Sequence, residues 1–134
     1  MRPILLATND FSDVYTFWLY HKQCGVHNRV EVLSDGDDVA RYLGSSHPNL
    51  PPPALLVASL KMPRMGGLQL LEHLKATRQN GFPSVLLIDL QDHDVTLAAA
   101  AFRLGAESFL MRPIQKKDFC DIMALASISL EPQV

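Results

Sequence analysis

Residues 54–70, ALLVASLKMPRMGGLQL, decide how this chain folds. An apolar run ends at Ser59. Leu60, Lys61, Met62 and Pro63 break it, and Gly66-Gly67 open an amphipathic run with Leu68, Leu71 and Leu74 on its inner side. A short run that is apolar throughout is what a parallel strand buried on both faces requires. The strand, loop and helix read here recur along the chain, the mark of a parallel sheet covered by helices.

Working outward, residues 3–7 (PILLA) read as a first strand. Asp10 or Ser12 then caps a helix whose inner positions Val14, Phe17, Trp18 and His21 follow the i, i+3, i+4, i+7 spacing. Gly25 ends it. Residues 29–33 (RVEVL) alternate polar and apolar as an edge strand does. Asp35-Gly36-Asp37 turns into a helix carrying Val39, Tyr42 and Leu43 and stopped by Gly44. A proline-rich loop, residues 45–53, leads to the third strand at residues 54–58. Pro83 introduces a fourth strand, residues 84–88. A helix from about Asp94 carries Ala98, Ala101 and Phe102 and closes at Gly105. Residues 108–111 form a fifth strand, and Phe119, Ile122, Met123 and Ala126 line a last helix. Right-handed crossovers turn this βα rhythm into a doubly wound sheet. The flavodoxin-like order 2-1-3-4-5 places any site at the C-terminal ends of the first and third strands.

With 134 residues the chain is expected to be a single domain over 1–134 without an output domain, burying roughly two-thirds of its unfolded surface. Its 48% apolar and 19% charged residues are those of an ordinary globule. A net charge of −2 without a basic cluster argues against nucleic acid or an anionic membrane as partner. The absence of a long apolar run or leader pattern points to a cytoplasmic protein. Cys24 and Cys120 stand far apart in sequence, and His21, His27, His47, His73 and His93 show no ligand spacing. No metal site is therefore expected, and the thiols are read as reduced.

Four stretches together resemble a response-regulator receiver domain: ILLATND (residues 4–10), LSDGDDVARYL (33–43), LKMPRMGG (60–67) and FRLGAESFLMRP (102–113). The resemblance covers nearly the whole chain. It implies an acidic pair after the first strand holding Mg²⁺, an acceptor aspartate ending the third, a hydroxyl ending the fourth and a lysine ending the fifth. Mapped onto this chain, the pair is Thr8 and Asn9, or Asn9 and Asp10 if the register slips by one. The acceptor is Ser59, the hydroxyl is Ile88 or Leu90, and the lysine is Arg112. A serine without a neighbouring base is a poor nucleophile, and a site with at most one carboxylate is a poor Mg²⁺ site.

The expected function is thus a non-enzymatic, phosphorylation-independent pseudo-receiver that works by protein–protein interaction in a two-component-type pathway. No cofactor is expected. Ser59 and Thr8 read as small polar residues tolerated at strand ends, with modification of Ser59 by a serine kinase as the alternative. Arg112 is expected to pair with Asp10 or Asp89, or to bind an anion. The resemblance puts a structural cis bond at Arg112-Pro113 and an aromatic at Phe109, either a switch or plain packing. It puts the docking face on residues 94–103, 107–111 and 114–117, including Lys116 and Lys117, for a protein partner or a second copy. Two other functions stay open: an anion or small-metabolite sensor built on Arg112, and an atypical phosphorelay protein with residual Mg²⁺ at Asp10.

Overall fold

The structure, a computed structural model, describes residues 1–44, 51–92 and 94–131. Its elements alternate throughout: β1 (Ile4–Ala7), α1 (Phe11–Gln23), β2 (Val30–Leu33), α2 (Gly36–Gly44), β3 (Leu55–Ser59), α3 (Gly67–Ala76), β4 (Ser84–Ile88), α4 (Val95–Arg103), β5 (Ser108–Met111) and α5 (Lys116–Leu125), with one 3₁₀ turn at Leu90–Asp92. All strand pairs are parallel, in the order β2-β1-β3-β4-β5. The expected order holds, and β2 is at an edge as its alternating sequence implied.

The two-residue period of a strand sorts the core. Ile4, Leu6, Leu55, Val57, Val85 and Leu87 face α1 and α5, where Phe17 and Phe119 meet edge to face at 4.9 Å between centroids. Leu5, Ala7, Leu56 and Ala58 face the other way, onto Val39 of α2 and Leu70 and Leu74 of α3. Leu86 and Ile88 meet Leu71 and Ala101. Ala7 pairs with Ala58, Ser59 with Leu87, and Ile88 with Met111, so four strands end level on one rim.

Several expected positions differ. β1 begins at Ile4, because Pro3 has no N–H to give the ladder; its carbonyl instead accepts from Ala54 N at 2.8 Å. Ser59 belongs to β3 rather than following it. On α1 Asp13 and Phe17 are buried and Val14 packs against the core as expected, while Trp18 is 54% exposed. His21 is half-buried, with Nε2 2.6 Å from the Asn28 carbonyl oxygen. On α3 Leu70, not Leu68, is fully buried. Phe102 is half-exposed on the flank of α4 and stacks edge to face on Phe109. The first part of the proline-rich loop and His93 lie outside the described residues.

Two contacts were invisible in sequence. Cys24, at the end of α1, and Cys120, on α5, bring their sulfurs to 3.6 Å as free thiols. Burial and this contact push the Cys24 thiol pKa up. Gly36 donates its N–H to Met65 O at 2.9 Å, so close that a Cβ would sit 2.4 Å from that oxygen. Only glycine lets the start of α2 lie against the loop after β3.

Candidate functional site

The level strand ends form a cleft rim, and its residues come from four elements. Thr8 follows β1 and is held by its N–H to Leu33 O at 2.9 Å. Asp10 caps α1: one carboxylate oxygen accepts from Ser12 N at 2.9 Å and Ser12 Oγ at 2.7 Å, and these bonds lower its pKa. That carboxyl is exposed and Asn9 beside it is exposed too.

Three residues on, Asp13 turns inward and is 3% exposed. The i, i+4 spacing puts it on the same face as Phe17, under the ends of β1 and β3. Arg112 leaves β5 with its N–H on Ile88 O at 2.9 Å and lays its guanidinium across the cleft. Nε donates to Asp13 Oδ1 at 2.9 Å and Nη2 to Asp13 Oδ2 at 2.8 Å, a bidentate pair. Nη2 also donates to Ser59 Oγ at 2.8 Å, and Nη1 lies 3.5 Å from Asp89 Oδ1. Thr8 Oγ1 completes the ring by donating to Asp13 Oδ2 at 2.7 Å. Burial works against the guanidinium charge, but Asp13 more than offsets it and raises the Arg112 pKa above its ordinary value.

Thr8, Ser59 and Arg112 are thus brought together, as the sequence implied. Asp10 is not: it faces solvent and caps its own helix. Asp89 is a secondary partner of Arg112. Ile88 is buried and apolar, and Leu90 is 69% exposed in the 3₁₀ turn, so neither supplies a polar group. The residue that sequence reasoning missed is Asp13. An aspartate in a helix's first turn ordinarily reads as an exposed partner of the helix dipole; its spacing to Phe17 was the one available signal.

A second buried carboxylate borders the cleft. Asp35, 3% exposed, accepts N–H bonds from Asp37 at 3.2 Å and from Arg64 and Met65 at 2.9 Å each. Burial pushes its pKa up, but these bonds win and hold it at about 2. They tie the loop after Ser59 to the start of α2.

On the far side of β5, Phe102, Glu107, Ser108, Phe109, Met111 and Asp118 line a shallow groove of about 300 Å³. Lys116 and Lys117 are exposed in the first turn of α5, Lys117 paired with Asp121 at 3.0 Å. The Arg112-Pro113 bond is cis. Among the described residues no group of three His, Cys, Asp or Glu is placed to hold a metal, and no helix is long and apolar enough to cross a membrane.

The sheet order and the polar cleft over β1 and β3 define a doubly wound α/β domain of flavodoxin-like, CheY-like architecture. Residues 16–124 match the response regulator receiver domain, and the chain belongs to that family. It is similar to Regulator of RpoS from Escherichia coli, 34% identical over 84 residues, which are 63% of this chain and 23% of that protein. It is also similar to the transcriptional regulatory protein FixJ of Bradyrhizobium diazoefficiens, 35% identical over 77 residues, 58% of this chain and 36% of FixJ. The matched part therefore spans about a quarter to a third of these relatives. Among solved structures, the bacteriophytochrome response regulator RtBRR superposes with a TM-score of 0.81 at 24% identity, covering 99% of this chain and 82% of that one. AtBRR gives 0.78 at 25% identity over 99% and 97%. The signal receiver domain of a LuxO repressor protein from Vibrio parahaemolyticus gives 0.77 at 24% over 94% and 90%.

Proposed function

We propose that this receiver domain signals without phosphorylation, by binding a protein partner. The observation that carries the reading is the bidentate Arg112–Asp13 pair with Ser59 and Thr8 hydrogen-bonded around it. Asp13, the buried carboxylate facing Arg112, has both oxygens engaged, and Arg112 already has carboxylate and hydroxyl partners of its own.

The Mg²⁺ that the family resemblance implies does not fit this donor set. A hard cation wants several anionic oxygens. Thr8, Asn9 and Ser59 are neutral, Asp10 caps α1 from the solvent side, and a cation at Asp13 would face the guanidinium at hydrogen-bond range. Nor is Ser59 set up as a nucleophile: its hydroxyl donates to Lys61 O at 3.2 Å and accepts from Arg112, with no base taking its proton. The anion-sensor reading is weaker for the same reason, since an incoming anion would have to displace Asp13 from Arg112.

The effect on a partner is assigned to the face of α4, β5 and α5. Phe102, Phe109 and Met111 give it an apolar centre, and α5 adds the exposed Lys116 and Lys117 of its first turn. A regulatory role fits the names of the two relatives, a regulator of RpoS and a transcriptional regulatory protein. Incubation with a small-molecule phosphodonor and Mg²⁺, followed by intact-mass measurement, is expected to leave the mass unchanged. A phosphoryl increment on this chain would overturn the reading. Reversing Lys116 and Lys117 to glutamate is expected to weaken partner binding; unchanged binding would move the interface elsewhere.

A further inference from the structure

α1 carries a row of side chains that the core does not use. Phe11, Tyr15 and Trp18 follow i, i+4, i+7 and are 90%, 64% and 54% exposed. Lys22 continues the row one turn on, its ammonium 5.4 Å from the centre of the Trp18 ring. Beside the row runs β2, the edge strand, with Val32 46% exposed. Helix and strand together wall a groove of about 500 Å³ whose lining is almost wholly apolar, with Leu6, Val14 and Phe17 at its floor. Three large aromatics at such exposure, contiguous with a valine edge, form a patch that a lone soluble domain rarely leaves uncovered.

The ends of the row identify what covers it. The N-terminal end is acidic: Asp10 is an exposed carboxylate next to Phe11. The C-terminal end is basic, with the exposed Lys22 in the last turn of α1. A second helix laid antiparallel, with the same row reversed, sets Tyr15 against Trp18 and Phe11 against Lys22, twice by symmetry. Each acidic end then meets a basic end, and the two helix dipoles oppose. Aromatic pairs and a cation over an aromatic face are the contacts such an arrangement makes. The row is therefore complementary to itself, which is the requirement of a two-fold interface.

We infer that the Phe11–Tyr15–Trp18–Lys22 row and the adjoining β2 edge are the surface through which two copies of this chain associate, antiparallel along α1. The three aromatics offer on the order of 500 Å² per protomer, the scale of a weak, concentration-dependent dimer rather than an obligate one. The surface lies at the β2 edge, opposite β5, so it leaves the α4–β5–α5 face free and stands or falls independently of the function proposed above.

Sedimentation equilibrium from low to high micromolar concentration tests it. The wild-type chain is expected to populate a dimer, and Phe11→Glu and Trp18→Glu each to weaken it about tenfold or more. Phe11 is 90% exposed, so Phe11→Glu should keep the wild-type melting temperature, and both variants should keep the wild-type circular dichroism. A benzophenone side chain in place of Tyr15 should, on irradiation, give a covalent dimer whose adduct maps to the segment around Trp18. A chain that stays monomeric at high micromolar concentration would overturn the inference, whatever else binds the groove. So would a dimer indifferent to both glutamate substitutions, or an adduct that maps away from α1.

Discussion

Asp13 and Asp35 are equally buried beside the same cleft, and their oxygens are satisfied by opposite means. Asp13 depends on one side chain, the Arg112 guanidinium, with help from Thr8. Asp35 depends on the backbone, three N–H groups from α2 and the loop after β3. The first arrangement can be undone by changing a partner. The second is built into the path of the chain. The Arg112 side of the cleft is therefore where sequence change can rewrite chemistry, and the Asp35 side is where it can only damage the fold.

The sharpest way to break the contrast is to remove Arg112. Arg112→Met leaves Asp13 buried without its counter-charge, expected to cost about 3–5 kcal/mol in urea denaturation. Adding Asp13→Leu should recover most of that loss, because exchanging a whole buried ion pair for apolar side chains is often nearly neutral. If the double variant is no better than Arg112→Met, Asp13 is not the reason the arginine matters.

Asp35 has no such rescue. Asp35→Ala strands three backbone donors, with an expected loss of about 2–3 kcal/mol that no second substitution restores. The same carboxylate sets the acid limb of stability. Its folded pKa of about 2 lies below the ordinary 3.8. Its contribution, about 2 kcal/mol, is thus fully present above pH of about 4 and is lost as pH falls toward 2. Melts across that window should fall more steeply for wild type than for Asp35→Asn; equal slopes would mean that Asp35 titrates normally.

Smaller effects grade the cleft further. Ser59→Ala removes one hydrogen bond to Arg112 and should cost about 1 kcal/mol. Lys117→Ala loses only an exposed pair with Asp121 and should leave the melting temperature unchanged.

Most of this architecture was legible in the sequence because local rules agreed with one another. Residues 84–88 and 108–111 are strands as read, Asp10 and Asp94 cap their helices, and Gly25 and Gly105 take positive φ after theirs. Errors arose where helical spacing alone had to choose a face. The spacing points Trp18 and Phe102 inward, yet both lie half-exposed, because an apolar side chain obeys the same spacing whether it meets the core or a partner. The neutral residues of the cleft could be named from sequence, but not the pairing that closes it. Asp13 and Arg112 are 99 positions apart, and only the packing of α1 beside α5, with Arg112 in the segment between β5 and α5, joins them. The thiol contact of Cys24 and Cys120, 96 positions apart, was hidden in the same way.

The most direct test of a receiver that works without phosphate is a backbone NMR titration with Mg²⁺ and then a beryllofluoride phosphoryl mimic. The amides of Asp10, Ser59, Gly66 and Phe109 are the reporters. With Asp13 engaged by Arg112, none should shift at millimolar metal or on adding the mimic. Saturable shifts running from Ser59 to Phe109 would show that the cleft still reads a charged ligand, and would contradict the account.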